Sequence, residues 1–144
     1  MAEASKTVTM SVSAEDLLKV VRDYENYPEF VEGCHKAKIL KKSADKTRVE
    51  YKVEVLSKEV HYTLDHYDEG KNGIRWELID SNLMKSNEGS WNIKDLGKGK
   101  IEVTYALSLD FKIPVPGFIL GGLVKSSLPS MLNSFEKRAK ACSA

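Results

Sequence analysis

Two cysteines, far apart at positions 34 and 142, exclude a fold framed by disulfides. Long apolar runs are missing as well. The longest, Gly117 to Val124, falls far short of the roughly 20 residues that a helix needs to cross a bilayer. No charge of one sign prevails: Lys+Arg 22 against Asp+Glu 21 leaves a formal net charge of +1, with no long block of like charge. Nothing in that balance argues for a nucleic-acid-binding protein, and no DNA partner is expected. Proline is scarce, and neither a linker of biased composition nor an internal repeat is present. The 144 residues therefore read as one domain, 1–144, large enough to bury roughly 68–70% of its unfolded surface. The opening MAEASK carries an acid and no apolar segment, unlike a secretory signal. The expectation is a cytoplasmic protein with reduced thiols.

What is present is periodicity. From Ile113 to Ala144, the residues Leu120, Val124, Leu128, Met131, Leu132, Phe135, Ala139 and Cys142 recur at steps of three and four, one face of a long helix. Pro129 interrupts it, and a bend there is favoured over a fresh start near Ser127, since proline cannot donate to the carbonyl four residues back. At the other end, Thr7 to Val12 alternates as a strand. Ser13 caps a helix with Asp16 in its first turn. Tyr27, Phe30 and Val31 belong to a short second helix that plugs one end of a sheet. From Cys34 onward the period is two. Six strands are predicted over Cys34–Lys42, Thr47–Leu56, Val60–Asp68, Ile74–Asp80, Leu83–Asp95 and Lys100–Lys112. Val49, Tyr51, Val53, Tyr62, Leu64, Trp76, Trp91, Ile93, Val103, Tyr105 and Leu107 fall on the dry side. Short turns between consecutive strands give an antiparallel meander, whose apolar face needs the last helix as cover. The expected class is α+β: a curved antiparallel sheet of about seven strands wrapped around a long C-terminal helix. A cavity between curved sheet and rod is the physical expectation.

The order of elements, with Tyr27-Pro28-Glu29-Phe30 and Gly33-Cys34, Gly89-Ser90-Trp91, and Leu128-Pro129 through Met131-Leu132 to Phe135-Glu136-Lys137-Arg138-Ala139, resembles the START-like (SRPBCC) superfamily with the helix-grip fold. Within it the chain is similar to the polyketide cyclase/dehydrase and lipid transport group, which includes coenzyme Q-binding and ribosome-association proteins. The resemblance implies a cavity for a small hydrophobic ligand such as a lipid, quinone or polyketide. Fold alone does not set the activity.

The residues themselves offer no catalytic set. His61 and His66 lie five apart on a strand and so face opposite ways, which excludes a shared metal without a bulge. His35 and Cys34 are adjacent and likewise diverge. No metal site, catalytic residue or cofactor is expected. The candidate cavity lining is Tyr51, Tyr62, Arg75, Trp76, Trp91, Tyr105, Leu120, Val124, Leu128 and Met131. Rings with polar tips suit an apolar pocket with a few hydrogen-bonding points. Arg75 joins them only if a bulge turns it inward. Phe118, Ile119 and Leu120 form a pliable apolar junction that suits a gate or transient membrane contact. The leading expectation is a non-enzymatic binder. The alternatives are a polyketide cyclase/dehydrase using Arg75, Tyr62 and Tyr105, and a ribosome-associating protein, the latter opposed by the near-neutral charge.

Overall fold

A strand that buries every second residue needs cover on one face only, and β-strands of this kind dominate the chain. The computed structural model describes residues 2–55, 58–114 and 128–143. They form β1 (Ala2–Met10), α1 (Ala14–Arg22), a 3₁₀ helix (Tyr24–Glu29), β2 (Cys34–Lys42), β3 (Lys46–Val55), β4 (Lys58–Asp68), β5 (Gly73–Ser81), β6 (Met84–Gly97), β7 (Lys100–Phe111) and α2 (Leu128–Ser143). The strands make one antiparallel sheet in the order β1-β7-β6-β5-β4-β3-β2. Strands β2 to β7 are a plain meander of hairpins, and β1 adds beside β7. The curved sheet and C-terminal helix have the expected α+β helix-grip architecture.

Alternation assigns the faces. Val49 and Tyr51 of β3, Leu64 of β4, Ile74 and Trp76 of β5, Trp91 and Ile93 of β6, and Ile101, Val103 and Tyr105 of β7 are buried on the concave side. Arg48, Glu50 and Lys52 stand on the convex side, where water satisfies them. β2 pairs with β3 through register shifts between Cys34 and Lys36 and between Ile39 and Lys41, and β4 shifts against β5 between Thr63 and Leu64. Such shifts bend a sheet.

Helix α1 begins where Ser13 Oγ accepts the Asp16 N–H at 3.1 Å. Glu15 and Asp16 lie in its first turn, Lys19 and Arg22 in its last, each matching the helix dipole. Leu17, Leu18, Val20 and Val21 are buried. The stretch after it is a 3₁₀ helix rather than an α-turn, and Tyr27 within it donates its hydroxyl to the Val21 carbonyl. α2 packs Leu128, Leu132, Phe135 and Ala139 into the core. Cys142, expected on that stripe, is exposed, because the buried stripe ends at Ala139. Pro129 is the second described residue of α2. The expected bend depends on the segment before it, which lies outside the described residues.

Candidate functional site

The concave face is aromatic. Phe135 of α2 is the hub: its ring lies 4.8 Å from Trp91, 5.3 Å from Tyr27 and 5.1 Å from Phe30. Trp91 meets Tyr105 at 4.9 Å, and Tyr105 meets Trp76 at 5.3 Å. Tyr51 stacks on Tyr62 at 5.1 Å. Gly89, in the Gly-Ser-Trp motif, makes the Trp76 seat possible. A Cβ on it would lie 2.3 Å from the Trp76 ring and 2.4 Å from the Ala106 carbonyl oxygen. Not all of this face is sealed. Tyr27, Phe30, Tyr62, Leu78, Leu107 and Met131 are only partly buried although they pack against the core.

Polar groups on this face are few, and most are already bonded. Trp76 donates Nε1–H to Asn87 Oδ1 at 2.9 Å. His66 Nε2 and the Tyr51 hydroxyl are 2.8 Å apart, and the imidazole stacks on Tyr24 at 4.3 Å. Among the described residues the Tyr62 and Tyr105 hydroxyls have no hydrogen-bond partner. Every ionisable group here is held neutral. Burial pushes the phenols of Tyr27, Tyr51, Tyr62 and Tyr105 upward, out of the range in which they would ionise. Burial likewise raises the Cys34 thiol to about 11. It lowers His66 to about 3, with the neighbouring Asp65 charge opposing the fall only in part. Low-dielectric surroundings disfavour the charged form of each group, whichever form that is.

The expected lining residues divide. Tyr51, Trp76, Trp91, Tyr105 and Leu128 are buried on the concave side, and Tyr62 and Met131 are half-buried there. Leu120 and Val124, with Phe118 and Ile119 of the expected gate, lie outside the described residues. Arg75 is a correction. No bulge interrupts β5 at this point: Arg75 pairs directly with Tyr67 on one side and Ser90 on the other. Alternation therefore keeps it on the convex face, half exposed, with its guanidinium 4.1 Å over the Tyr67 ring and Nε 3.7 Å from Glu69. His66 and Asn87 were not among the expected site residues, yet both share the parity of inward neighbours, His66 with Tyr62 and Leu64, Asn87 with Trp91 and Ile93. His61, of opposite parity, is exposed beside Glu59 at 2.8 Å. Among the described residues no group of three His, Cys, Asp or Glu side chains is placed to hold a metal. No described helix is long and apolar enough to cross a membrane.

An open depression of about 630 Å³ is lined by charged and polar residues (Glu3, Ser5, Arg75, Glu77, Glu88) together with Trp76, Gly89 and Leu107.

Known proteins share this arrangement. The sequence profile of the polyketide cyclase / dehydrase and lipid transport family matches residues 10–136. The ribosome association toxin RatA of Vibrio cholerae is 26% identical over 142 residues, which cover 97% of this chain and 96% of the toxin. The mitochondrial coenzyme Q-binding protein of Dictyostelium discoideum is 28% identical, over 93% of this chain and 70% of its own length. Among solved structures, a START superfamily protein of Mycobacterium smegmatis superposes with a TM-score of 0.85 at 24% identity, covering 97% of this chain and 98% of that one. The Zhui aromatase/cyclase of a Streptomyces species gives 0.87 at 14% identity, covering 99% and 96%. At these identities the structural likeness shows the fold.

Proposed function

The chain belongs to the polyketide cyclase / dehydrase and lipid transport family, and we propose that it holds an uncharged, largely apolar small molecule between the concave sheet face and α2. The observation that supports this reading is the chemistry of that face. It is aromatic, part of it is unsealed, and none of its described ionisable groups bears a charge at neutral pH. A charged ligand would meet no counter-ion there among the described residues. An apolar one gains roughly 25 cal/mol for each Å² removed from water, less the cost of association. The unpaired Tyr62 and Tyr105 hydroxyls would orient one or two ligand oxygens. The same groups serve acid–base catalysis poorly, since efficient proton transfer needs a group that titrates near the working pH. Binding is therefore the reading, rather than cyclisation or dehydration.

Native mass spectrometry of the purified protein, with an organic extract of it, tests the proposal. The expected result is a neutral co-purifying molecule, or saturable uptake of an uncharged fluorescent hydrophobe that neutral lipids displace. A protein that emerges empty and takes up no such probe overturns the reading.

A second reading concerns the outer surface. The whole-length similarity to ribosome association toxins favours docking on a ribosomal particle. Co-sedimentation with purified large ribosomal subunits is the expected result, and absence from the pellet under all salt conditions removes it. Membrane contact through Phe118, Ile119 and Leu120 is a separate proposal. Flotation with neutral vesicles that is lost in Phe118→Ser/Ile119→Ser would support it.

A further inference from the structure

We infer that the lysine-bearing edge of β2 docks on the phosphate backbone of RNA. The chain as a whole has a formal net charge of +1, but residues 34–55 hold seven Lys and Arg against three Asp and Glu. The β2–β3 hairpin gathers that excess at one end of the sheet, because β2 is the terminal strand of the order. Lys36, Lys38 and Lys41 stand opposite Lys52, Glu50 and Arg48 on the convex side. Lys36 reaches Glu50 at 3.9 Å, and Arg48 is bound to Asp65 at 2.8 Å. Lys38, Lys41 and Lys42 are exposed and reach no carboxylate among the described residues.

Terminal strands often bear lysines to repel a second strand. This edge is already guarded in other ways. Two register shifts break its ladder, and the Glu25 carboxylate accepts the Ile39 N–H at 3.1 Å. The unpaired lysines exceed that need. The extended chain from Lys36 to Lys42, six steps at roughly 3.3 Å per residue, spans about 20 Å, a length that faces several successive phosphates. No aromatic ring stands among them to stack on a base, so the contact is to the backbone and independent of base sequence. Leu40, 47% exposed, is the single large apolar side chain on the strand's outward side, too little to insert into a bilayer. The charge complementarity thus selects RNA over a lipid surface. This inference rests on the second reading above for its biological setting and on nothing in the interior.

The test is fluorescence anisotropy with a labelled short RNA duplex of arbitrary sequence over a series of potassium chloride concentrations. Wild type is expected to bind, with log affinity falling against log salt at a slope of about −3 if Lys38, Lys41 and Lys42 each neutralise one phosphate. Lys38→Glu/Lys41→Glu/Lys42→Glu is expected to lose affinity by more than about tenfold. Lys6→Glu/Lys85→Glu/Lys94→Glu, with the same change in net charge, is expected to retain it. If the β2 reversal fails a thermal-melt check, Lys38→Gln/Lys41→Gln/Lys42→Gln replaces it. Three results overturn the inference: no binding by wild type at low salt, equal loss in both triple variants, or preferential binding to phosphatidylserine vesicles in competition with the RNA. Co-sedimentation separates the levels. A β2 variant that loses RNA but still pellets with large subunits sinks the edge and spares the second reading. Wild type that binds RNA but never pellets does the reverse.

Discussion

His66 shows how one residue ties sequence to stability. The imidazole is neutral in the fold, enclosed by Tyr24, Tyr51 and Trp76, with the Asp65 carboxylate next in chain. Its folded pKa of about 3 lies below the unfolded 6.5. Between those values the unfolded chain binds a proton that the folded chain refuses. Stability is therefore full above about pH 6.5 and declines as pH falls toward 3, by at most about 5 kcal/mol at roughly 1.4 kcal/mol per unit. Asp65 adds to acid lability lower down. The Arg48 guanidinium holds its carboxyl below the usual range, so its contribution is lost only as pH drops through the carboxylate region. Urea midpoints should fall from pH 7 to pH 4.5 in wild type, and His66→Phe should flatten that slope while lowering the neutral-pH value. A wild-type midpoint that is level across this interval would contradict a neutral buried imidazole. Gly89 gives a steric counterpart. Gly89→Ala must displace Trp76 or strand β7, and a loss above about 3 kcal/mol is expected in thermal melts. At Gly97, where a Cβ meets open space, alanine should cost only the left-handed backbone penalty of about 1–2 kcal/mol, its φ being +80°.

At the scale of elements, the two helices hold the sheet closed by different means. α1 depends on its start: removing the Ser13 hydroxyl leaves the Asp16 N–H without its partner. Ser13→Ala should cost about 1 kcal/mol by denaturant titration, with the slope unchanged. α2 depends on its buried stripe. Phe135 touches Tyr27, Phe30 and Trp91, so Phe135→Ala opens a cavity and should cost about 3–5 kcal/mol. Cys142→Ser, on the exposed last turn, should leave the melting temperature where it was. Loss at Phe135 no greater than at Cys142 would mean that α2 is not the lid of the core.

For the whole molecule, the sheet divides two chemistries: a neutral aromatic face within and a charged face without. Ligand recognition is accordingly expected to follow the inner side alone. Tyr62→Phe/Tyr105→Phe should weaken binding of an oxygenated hydrophobe by about tenfold or more, near 1–3 kcal/mol for lost hydrogen bonds, without lowering stability. Arg75→Ala should leave that binding unaltered, which titration of an uncharged fluorescent ligand would check. A loss with Arg75→Ala equal to that of the tyrosine pair would place the ligand on the convex side instead.

Periodicity determined the architecture on its own. Strict alternation in β3 and β7, the three-and-four spacing of Leu128, Leu132, Phe135 and Ala139, and short turns between strands admit few arrangements other than a covered meander, because each apolar face must be buried by something. The same parity placed Tyr51, Trp76, Trp91 and Tyr105 together and already implied His66, whose register matches Leu64. Tertiary structure decided what parity cannot reach. The absence of a bulge at Arg75 kept that side chain outside, and strand pairing, not composition, collected the lysines of β2 at one edge of a nearly neutral chain. Ionisation belongs to the same group: His66 is a weaker base than its sequence suggests only because Tyr24, Tyr51 and Trp76 exclude the water that would solvate its charge.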